Sequence, residues 1–182
     1  KDVRDGSVLD VHVWQPPAFD QAQGTFSAAG ASSCTTCGAD NKFSKAGQAD
    51  DCLTCGAGSH TTGGTSTTRD ACSTCAAGSK CDGTSGVTTC SKGTFSAAGA
   101  WACVDCGSDN LYSQAGQADG CITCGAGSYT AGASLGTRDT CTVCAAGSKC
   151  DGTSTVTTCV KGTFSAAGAD TCTNCGVDNK YS

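Results

Sequence analysis

The sequence predicts a small disulfide-rich β fold: an elongated tandem array of short two-stranded hairpin modules with little hydrophobic core. The first observation is composition. Of 182 residues, 18 are cysteine and 26 are glycine, whereas aromatic residues make up 5%. Large apolar side chains are scarce from residue 24 onward, so the chain lacks the Leu-, Ile- and Val-rich core of an ordinary domain of this length. Cross-links are the usual substitute in such chains.

The second observation is an internal repeat. A shift of 69 residues carries Cys34 onto Cys103 and Cys103 onto Cys172, and every other cysteine obeys the same shift. The connecting residues agree as well, because AAGSKCDGTS occurs at 76–85 and again at 145–154. This periodicity predicts a tandem array. It divides the chain into an N-terminal segment and three periods, the last of them partial: 1–23, 24–92, 93–161 and 162–182.

The third observation is a hairpin pattern inside each period. An aromatic residue with Ser or Thr neighbours predicts a brief strand, and a glycine a few residues later suits a hairpin loop with positive φ. The aromatic residues are Phe26, Phe43, Phe95, Tyr112, Tyr129 and Phe164, and the glycines are Gly30, Gly47, Gly99, Gly116, Gly132 and Gly168. Isolated hairpins are marginal in water, so cross-links must hold them.

The cysteine spacing predicts which residues are cross-linked. The second cysteine of one C-x-x-C pair and the first of the next lie symmetrically about each turn. We therefore expect the bonds Cys37–Cys52, Cys55–Cys72, Cys90–Cys103, Cys106–Cys121, Cys124–Cys141 and Cys159–Cys172. Cys75–Cys81 and Cys144–Cys150 complete the set if Cys90 and Cys159 each open a new unit. Cys75–Cys90 about an Asp82-Gly83 turn is an alternative, since sequence alone does not fix connectivity.

Two cysteines are left over by this pairing. Cys34 has Gln21 where the other periods supply an upstream cysteine, and the partner expected for Cys175 falls beyond residue 182. We expect these two cysteines to bond outside the segment, either with adjoining repeats of a longer chain or head to tail with another subunit. A head-to-tail contact that does not close into a ring produces a filament, a self-assembled homopolymer.

Composition also bears on partners. The formal net charge is −5, with Lys and Arg scattered singly, so neither nucleic acid nor anionic lipid is an expected partner. No apolar run approaches the roughly 20 residues of a membrane span. No catalytic set of residues can be assembled, so an enzyme is not expected, and no cofactor is expected either.

Metal binding is the rival explanation of the cysteines. Cys34, Cys37, Cys52 and Cys55 approach the spacing of a zinc ribbon, but the group at 72–90 breaks that spacing and histidine is nearly absent. Disulfides are favoured. Calcium at the Asp-rich turns is a further alternative, with turn-forming aspartates as the simpler explanation; the residues are Asp40, Asp50, Asp109, Asp119 and Asp178. His60 is interpreted as a packing residue, and Arg69-Asp70 as a local solvated pair.

The N-terminal segment differs in kind from the periods. The side chains of residues 7–14, SVLDVHVW, alternate in polarity as those of a strand with one buried face would. Pro16-Pro17 ends the pattern. Three interpretations of this strand are open: it belongs to an upstream domain, it completes a sheet in a neighbouring subunit, or it is a local edge strand of a partly ordered terminus.

Two phrases carry a resemblance to a known family. CAAGSKCDGTSGVTTCSKGTFS (75–96) and CSKGTFSAAGAWAC (90–103) resemble the ephrin-receptor-like cysteine-rich repeat, a relative of the tumour-necrosis-factor-receptor module. The resemblance covers about residues 24–182 and implies extracellular tandem arrays of small β modules. Such arrays occur in receptor ectodomains and in surface or appendage proteins of unicellular eukaryotes. The family's usual proline after the second cysteine is replaced here by Gly or Ala, and no catalytic residue is carried over.

The expected function is therefore structural: a segment of an extracellular stalk, fibre or cell-surface filament. The alternative is a receptor-type ectodomain that binds a protein ligand. Binding surfaces usually break repeat symmetry with a few aromatic anchors, and here Trp101 alone does so, standing where the other periods have Ser32 and Asp170. O-linked glycans are expected on the Thr-rich loops at 61–68 and 84–89.

Overall fold

A computed structural model describes residues 22–49, 51–132 and 134–176. The strand predicted at 7–14 lies outside the described residues. Within them, 18 strands pair in chain order as nine two-stranded antiparallel hairpins, and the one helix is a short 3-10 turn at Leu135–Thr137. The strands are β1 (Thr25–Phe26), β2 (Thr35–Thr36), β3 (Lys42–Phe43), β4 (Leu53–Thr54), β5 (Ser59–Thr62), β6 (Ala71–Thr74), β7 (Ser79–Cys81), β8 (Val87–Thr89), β9 (Thr94–Phe95), β10 (Val104–Asp105), β11 (Leu111–Tyr112), β12 (Ile122–Thr123), β13 (Ser128–Ala131), β14 (Thr140–Val143), β15 (Ser148–Cys150), β16 (Val156–Thr158), β17 (Thr163–Phe164) and β18 (Thr173–Asn174).

The hairpins arise where the sequence predicts them. Each of the six aromatic residues lies on the first strand of a hairpin, and each glycine that follows one has positive φ, from 75° at Gly116 to 115° at Gly132. The longest ladders pair four residues on each side, in β5–β6 and β13–β14. Most others pair only two residues on each side, too few for independent stability.

Cysteine takes the place of an aliphatic core. Among the described residues, the buried apolar side chains are Phe43 and ten cysteines: Cys37, Cys52, Cys55, Cys75, Cys81, Cys90, Cys106, Cys124, Cys144 and Cys150. The aliphatic residues of the second strands, such as Val87 and Val143, are exposed. A small disulfide-rich β fold with little hydrophobic core is thus confirmed.

Eight disulfides join the hairpins in tandem. They are Cys37–Cys52, Cys55–Cys72, Cys75–Cys81, Cys90–Cys103, Cys106–Cys121, Cys124–Cys141, Cys144–Cys150 and Cys159–Cys172. These are the pairs expected from the spacing, and Cys75 bonds Cys81 instead of the alternative Cys90. The bond Cys37–Cys52 shows the general rule: Cys37 follows β2 and Cys52 precedes β4, so the bond links one hairpin to the next.

Backbone hydrogen bonds follow the same chain order. Gly78 N donates to Ser96 O of the next hairpin at 2.8 Å, and Gly99 N donates back to Cys75 O at 2.8 Å. Contacts that run between near neighbours along the chain are typical of repeat arrays. In the part of the chain that the structure describes, no helix has the length and apolar character needed to cross a membrane.

Candidate functional site: the junctions between hairpins

Glycines before the first strands allow hairpins to approach closely. Gly58, Gly78 and Gly127 have φ between +81° and +84°. A Cβ atom at Gly58 would overlap the carbonyl oxygen of Gly99, and one at Gly78 would overlap that of Gly116. A Cβ atom at Gly127 would likewise overlap the carbonyl oxygen of Gly168. Each contact joins a hairpin to the tip of the hairpin two further along, so three successive hairpins are packed together.

Buried hydroxyl groups form a second junction. Ser44 Oγ donates to Thr25 O at 2.7 Å, and Ser96 Oγ donates to Ser79 O at 2.8 Å. In each case a residue after or within a first strand bonds the backbone of the preceding hairpin. The other members of the set, in the same relation to the preceding hairpin, are Thr61, Ser113, Thr130 and Ser165. All six side chains are buried.

Cysteine occupies the hydroxyl position in two further hairpins, β7–β8 and β15–β16. Cys81 aligns with Thr61 and Ser96, because each is the third residue after the glycine that precedes the strand. Its bond to Cys75 ties β7 to the preceding hairpin, as the hydroxyl does elsewhere. Cys150 repeats this arrangement with Cys144. The bonds of Cys81 and Cys150 are therefore covalent versions of the hydroxyl junction.

Removal of one buried hydroxyl should weaken the array locally. Ser96→Ala leaves the carbonyl of Ser79 without its donor, and we expect a loss of about 1 kcal/mol in the free energy of unfolding. The control is Ser73→Ala on exposed β6, where a change within about 0.5 kcal/mol is expected. Denaturant unfolding of the oxidised protein measures both. Equal effects of the two substitutions would contradict the junction.

A salt bridge and its flanking hydrogen bonds link three hairpins through Asp40, Arg69 and Ser85; this group is called the clamp below. The guanidinium of Arg69, whose side chain is only 3% exposed, lies 2.5 Å from Asp40 Oδ1 and donates to Gly38 O at 3.1 Å. The second carboxylate oxygen of Asp40 accepts hydrogen bonds from Ser85 N at 3.1 Å and Ser85 Oγ at 2.9 Å. Asp40 precedes β3, Arg69 precedes β6 and Ser85 lies between β7 and β8, so one carboxylate connects three hairpins.

The next period repeats the clamp. Arg138 pairs with Asp109, whose other oxygen accepts from Ser154 N and Oγ at 3.1 and 2.8 Å. Hydrogen bonds from Ser154, and to a smaller extent the charge of Arg138, hold the pKa of Asp109 below its ordinary value. Ser85 and Arg69 lower the pKa of Asp40 in the same way, so both carboxylates are ionised at neutral pH.

The clamp corrects one sequence-based interpretation. Arg69 and Asp70 were expected to form a local solvated pair, but Arg69 is buried and pairs with Asp40, 29 residues away. Asp70 accepts instead from the hydroxyl of Thr62 at 3.2 Å. The equivalent Asp139 binds Lys92 at 2.5 Å. The neighbouring arginine and aspartate thus face different hairpins.

Disruption of the clamp should loosen the β7–β8 turn. Asp40→Ala leaves a buried guanidinium without its carboxylate, which is costlier than removal of the cation, so we expect a larger loss of stability than from Arg69→Met. The amide of Ser85 should exchange with solvent faster, whereas that of Ser154 should not. Amide hydrogen exchange measures both. Asp109→Ala is the matched control and should accelerate Ser154 alone; unchanged exchange at Ser85 in the Asp40 variant would contradict the clamp.

Three sets of candidate residues remain: two thiols, one histidine and the aspartates considered for calcium. Cys34 and Cys175 are half-buried thiols outside the eight disulfides. His60 lies on β5 with its Nδ1 3.8 Å from Cys81 Sγ. Of the aspartates considered for calcium, Asp40 and Asp109 serve the clamps, while Asp50 and Asp178 lie outside the described residues. No group of three or more potential metal-ligating side chains occurs within those described.

Comparison with known proteins finds no matching family model and no matching curated protein.

Proposed function

We propose that this chain is a structural segment of an extracellular stalk, fibre or cell-surface filament. The observation that carries the proposal is the repetition of the junctions themselves. The clamp formed by Asp40, Arg69 and Ser85 recurs after 69 residues as Asp109, Arg138 and Ser154. The polar side chains of both clamps thus hold one hairpin against the next.

The disulfides support an extracellular location. Eight of them occur in tandem along the chain, and disulfides persist in oxidising compartments outside the cytosol. The resemblance to ephrin-receptor-like repeats agrees with this location. O-linked glycans on the exposed Thr-rich turns, such as Thr65, Thr67 and Thr68, are part of the proposal.

The two remaining thiols define how the segment would be extended. Cys103 and Cys106, the counterparts of Cys34 and Cys37 one period later, are both bonded to neighbouring hairpins. We propose that Cys34 and Cys175 likewise bond hairpins before and after this segment, supplied by adjoining repeats or by further copies of the chain. Either source extends the array at both ends.

Electron microscopy tests the structural function. Native material, imaged without reductant, should show thin rods or filaments, and reduction should shorten or disperse them. Cys34→Ser together with Cys175→Ser is the matched variant, because it leaves the eight internal disulfides intact. If the 182-residue chain self-assembles, this variant should stay monomeric.

Two results would contradict the proposal. One is compact particles in native, unreduced material. The other is Cys34 bonded to a cysteine of its own described hairpins, since the array would then be closed at that end.

A further inference from the structure

The hairpin β7–β8 and the loop that follows β9 enclose a groove. Its volume is about 230 Å³, and its lining residues are Lys80, Cys81, Asp82, Gly86, Thr88 and Trp101. Trp101 is 72% exposed, the largest exposed fraction among the bulky apolar side chains of the described residues. None of the junctions between hairpins uses this indole ring.

The next period contains the same groove without the aromatic ring. That groove is lined by Lys149, Cys150, Asp151, Thr155, Thr157 and Asp170, and its volume is about 140 Å³. Lys149, Asp151 and Thr157 are the counterparts of Lys80, Asp82 and Thr88. Asp170 stands where the first groove has Trp101. The chain therefore carries two versions of one groove that differ chiefly in whether a tryptophan completes the wall.

Hydrogen bonds hold Asp82, one residue of the polar wall of the first groove. Asp82 Oδ1 accepts from Thr84 N at 3.0 Å and from Thr84 Oγ1 at 2.6 Å. These hydrogen bonds lower the pKa of the Asp82 carboxyl, so it is an acceptor at neutral pH. Lys80 supplies a donor on the same hairpin, and Thr88 supplies a hydroxyl that can donate or accept.

The chemistry of the groove matches one class of ligand. A flat indole face binds an apolar surface, while the charged wall requires hydrogen-bonding groups at its edge. One carboxylate and one ammonium group cancel in net charge, which favours a neutral ligand. A pyranose ring combines these features, because its C–H face is apolar and its hydroxyl groups both donate and accept.

We propose that this groove binds a neutral pyranose unit of a glycan, with the sugar ring stacked on Trp101 and its hydroxyl groups bound by Asp82, Lys80 and Thr88. The second groove lacks the stacking surface and does not bind. This site is independent of the structural function, since its geometry is formed within two adjacent hairpins.

Nuclear magnetic resonance titration of the oxidised full chain tests the site. The probes are the methyl glycosides of glucose, galactose and mannose, each as both anomers, added to about 100 mM so that a site with a Kd of about 1 mM is saturated. At least one glycoside should give saturable shifts of the Trp101 indole N–H and of amides between Lys80 and Thr88. The amides between Lys149 and Thr157 should not shift.

Exchange of the residues at the aromatic position provides the matched control. W101D removes the stacking ring from the first groove, and the saturable shifts should disappear. D170W adds the ring to the second groove, where Thr155 stands in place of Gly86, and saturable shifts should appear at Lys149–Thr157 while the first groove still binds. Both positions are exposed, and an unchanged spectrum away from the groove shows that each variant is folded.

Three results would overturn the proposal. The first is the absence of saturable shifts with all six glycosides. The second is equal shifts in the wild-type chain and W101D. The third is a Trp101 signal that moves with protein concentration in the absence of sugar, because the ring would then serve contact between copies of the chain.

Discussion

Reduction of the oxidised protein is expected to abolish its tertiary structure. Six of the eight disulfides close loops with sequence separations of 13 to 17 residues. A loop of this length stabilises the folded chain by about 3 kcal/mol through the entropy of the unfolded state. The buried apolar side chains of the described residues are Phe43 and ten cysteines, all of them in the eight disulfides, so no other core remains once the bonds are broken.

Near-ultraviolet circular dichroism and limited proteolysis measure this effect. Dithiothreitol should remove the dichroism signal and expose the whole array to cleavage, and reoxidation should restore resistance. A chelator without reductant is the control and should change nothing, because the fold depends on sulfur–sulfur bonds. Retained structure after full reduction, or unfolding by the chelator alone, would contradict the account.

Gly78→Ala is expected to destabilise the array far more than Gly147→Ala. The two glycines are counterparts one period apart, with φ of +81° and +82°. An alanine at either position adopts a left-handed conformation that costs about 1–2 kcal/mol. At Gly78 the added methyl group would also overlap the carbonyl of Gly116, whereas at Gly147 no atom of the described residues lies within 4 Å. Within the described part of the chain, the second cost therefore arises at Gly78 and not at Gly147.

Comparison of the two variants distinguishes the cost of lost packing between hairpins from the cost of backbone strain. Denaturant unfolding of both oxidised variants should give the larger loss for Gly78→Ala. Amide exchange should show opening of the contact at Gly116 in that variant only. If the two substitutions cost the same free energy, the close approach of alternate hairpins would be absent in solution.

Local features of the fold were predictable from sequence. Cysteines placed on either side of a turn, as Cys37 and Cys52 are about the Lys45–Gly47 turn, define both the hairpin and its cross-link. A hairpin and its flanking bond involve residues close in sequence, so spacing alone carries the information. The hairpin β7–β8 is the exception, because Cys75 had two candidate partners at short range, Cys81 and Cys90. The choice between them depends on where β7 ends, and the cysteine spacing does not predict that residue.

Contacts between hairpins were not predicted. The glycine before most first strands and the hydroxyl after it recur in the sequence, as Gly58 and Thr61 do, but their role depends on how hairpins stack. Arg69 was assigned to its sequence neighbour because a partner 29 residues away cannot be found from local pattern. The usable signal was the joint recurrence of Asp40 and Arg69 one period later as Asp109 and Arg138.

Disulfide mapping of the oxidised chain tests the central claim, that covalent links between consecutive hairpins build the array. Proteolysis without reductant, followed by mass spectrometry, should identify the eight bonds present in the structure, including Cys75–Cys81 and Cys144–Cys150. Cys34 and Cys175 should be found as thiols or bonded to residues outside this segment. A Cys75–Cys90 bond, or a majority of free thiols with stoichiometric zinc, would contradict it.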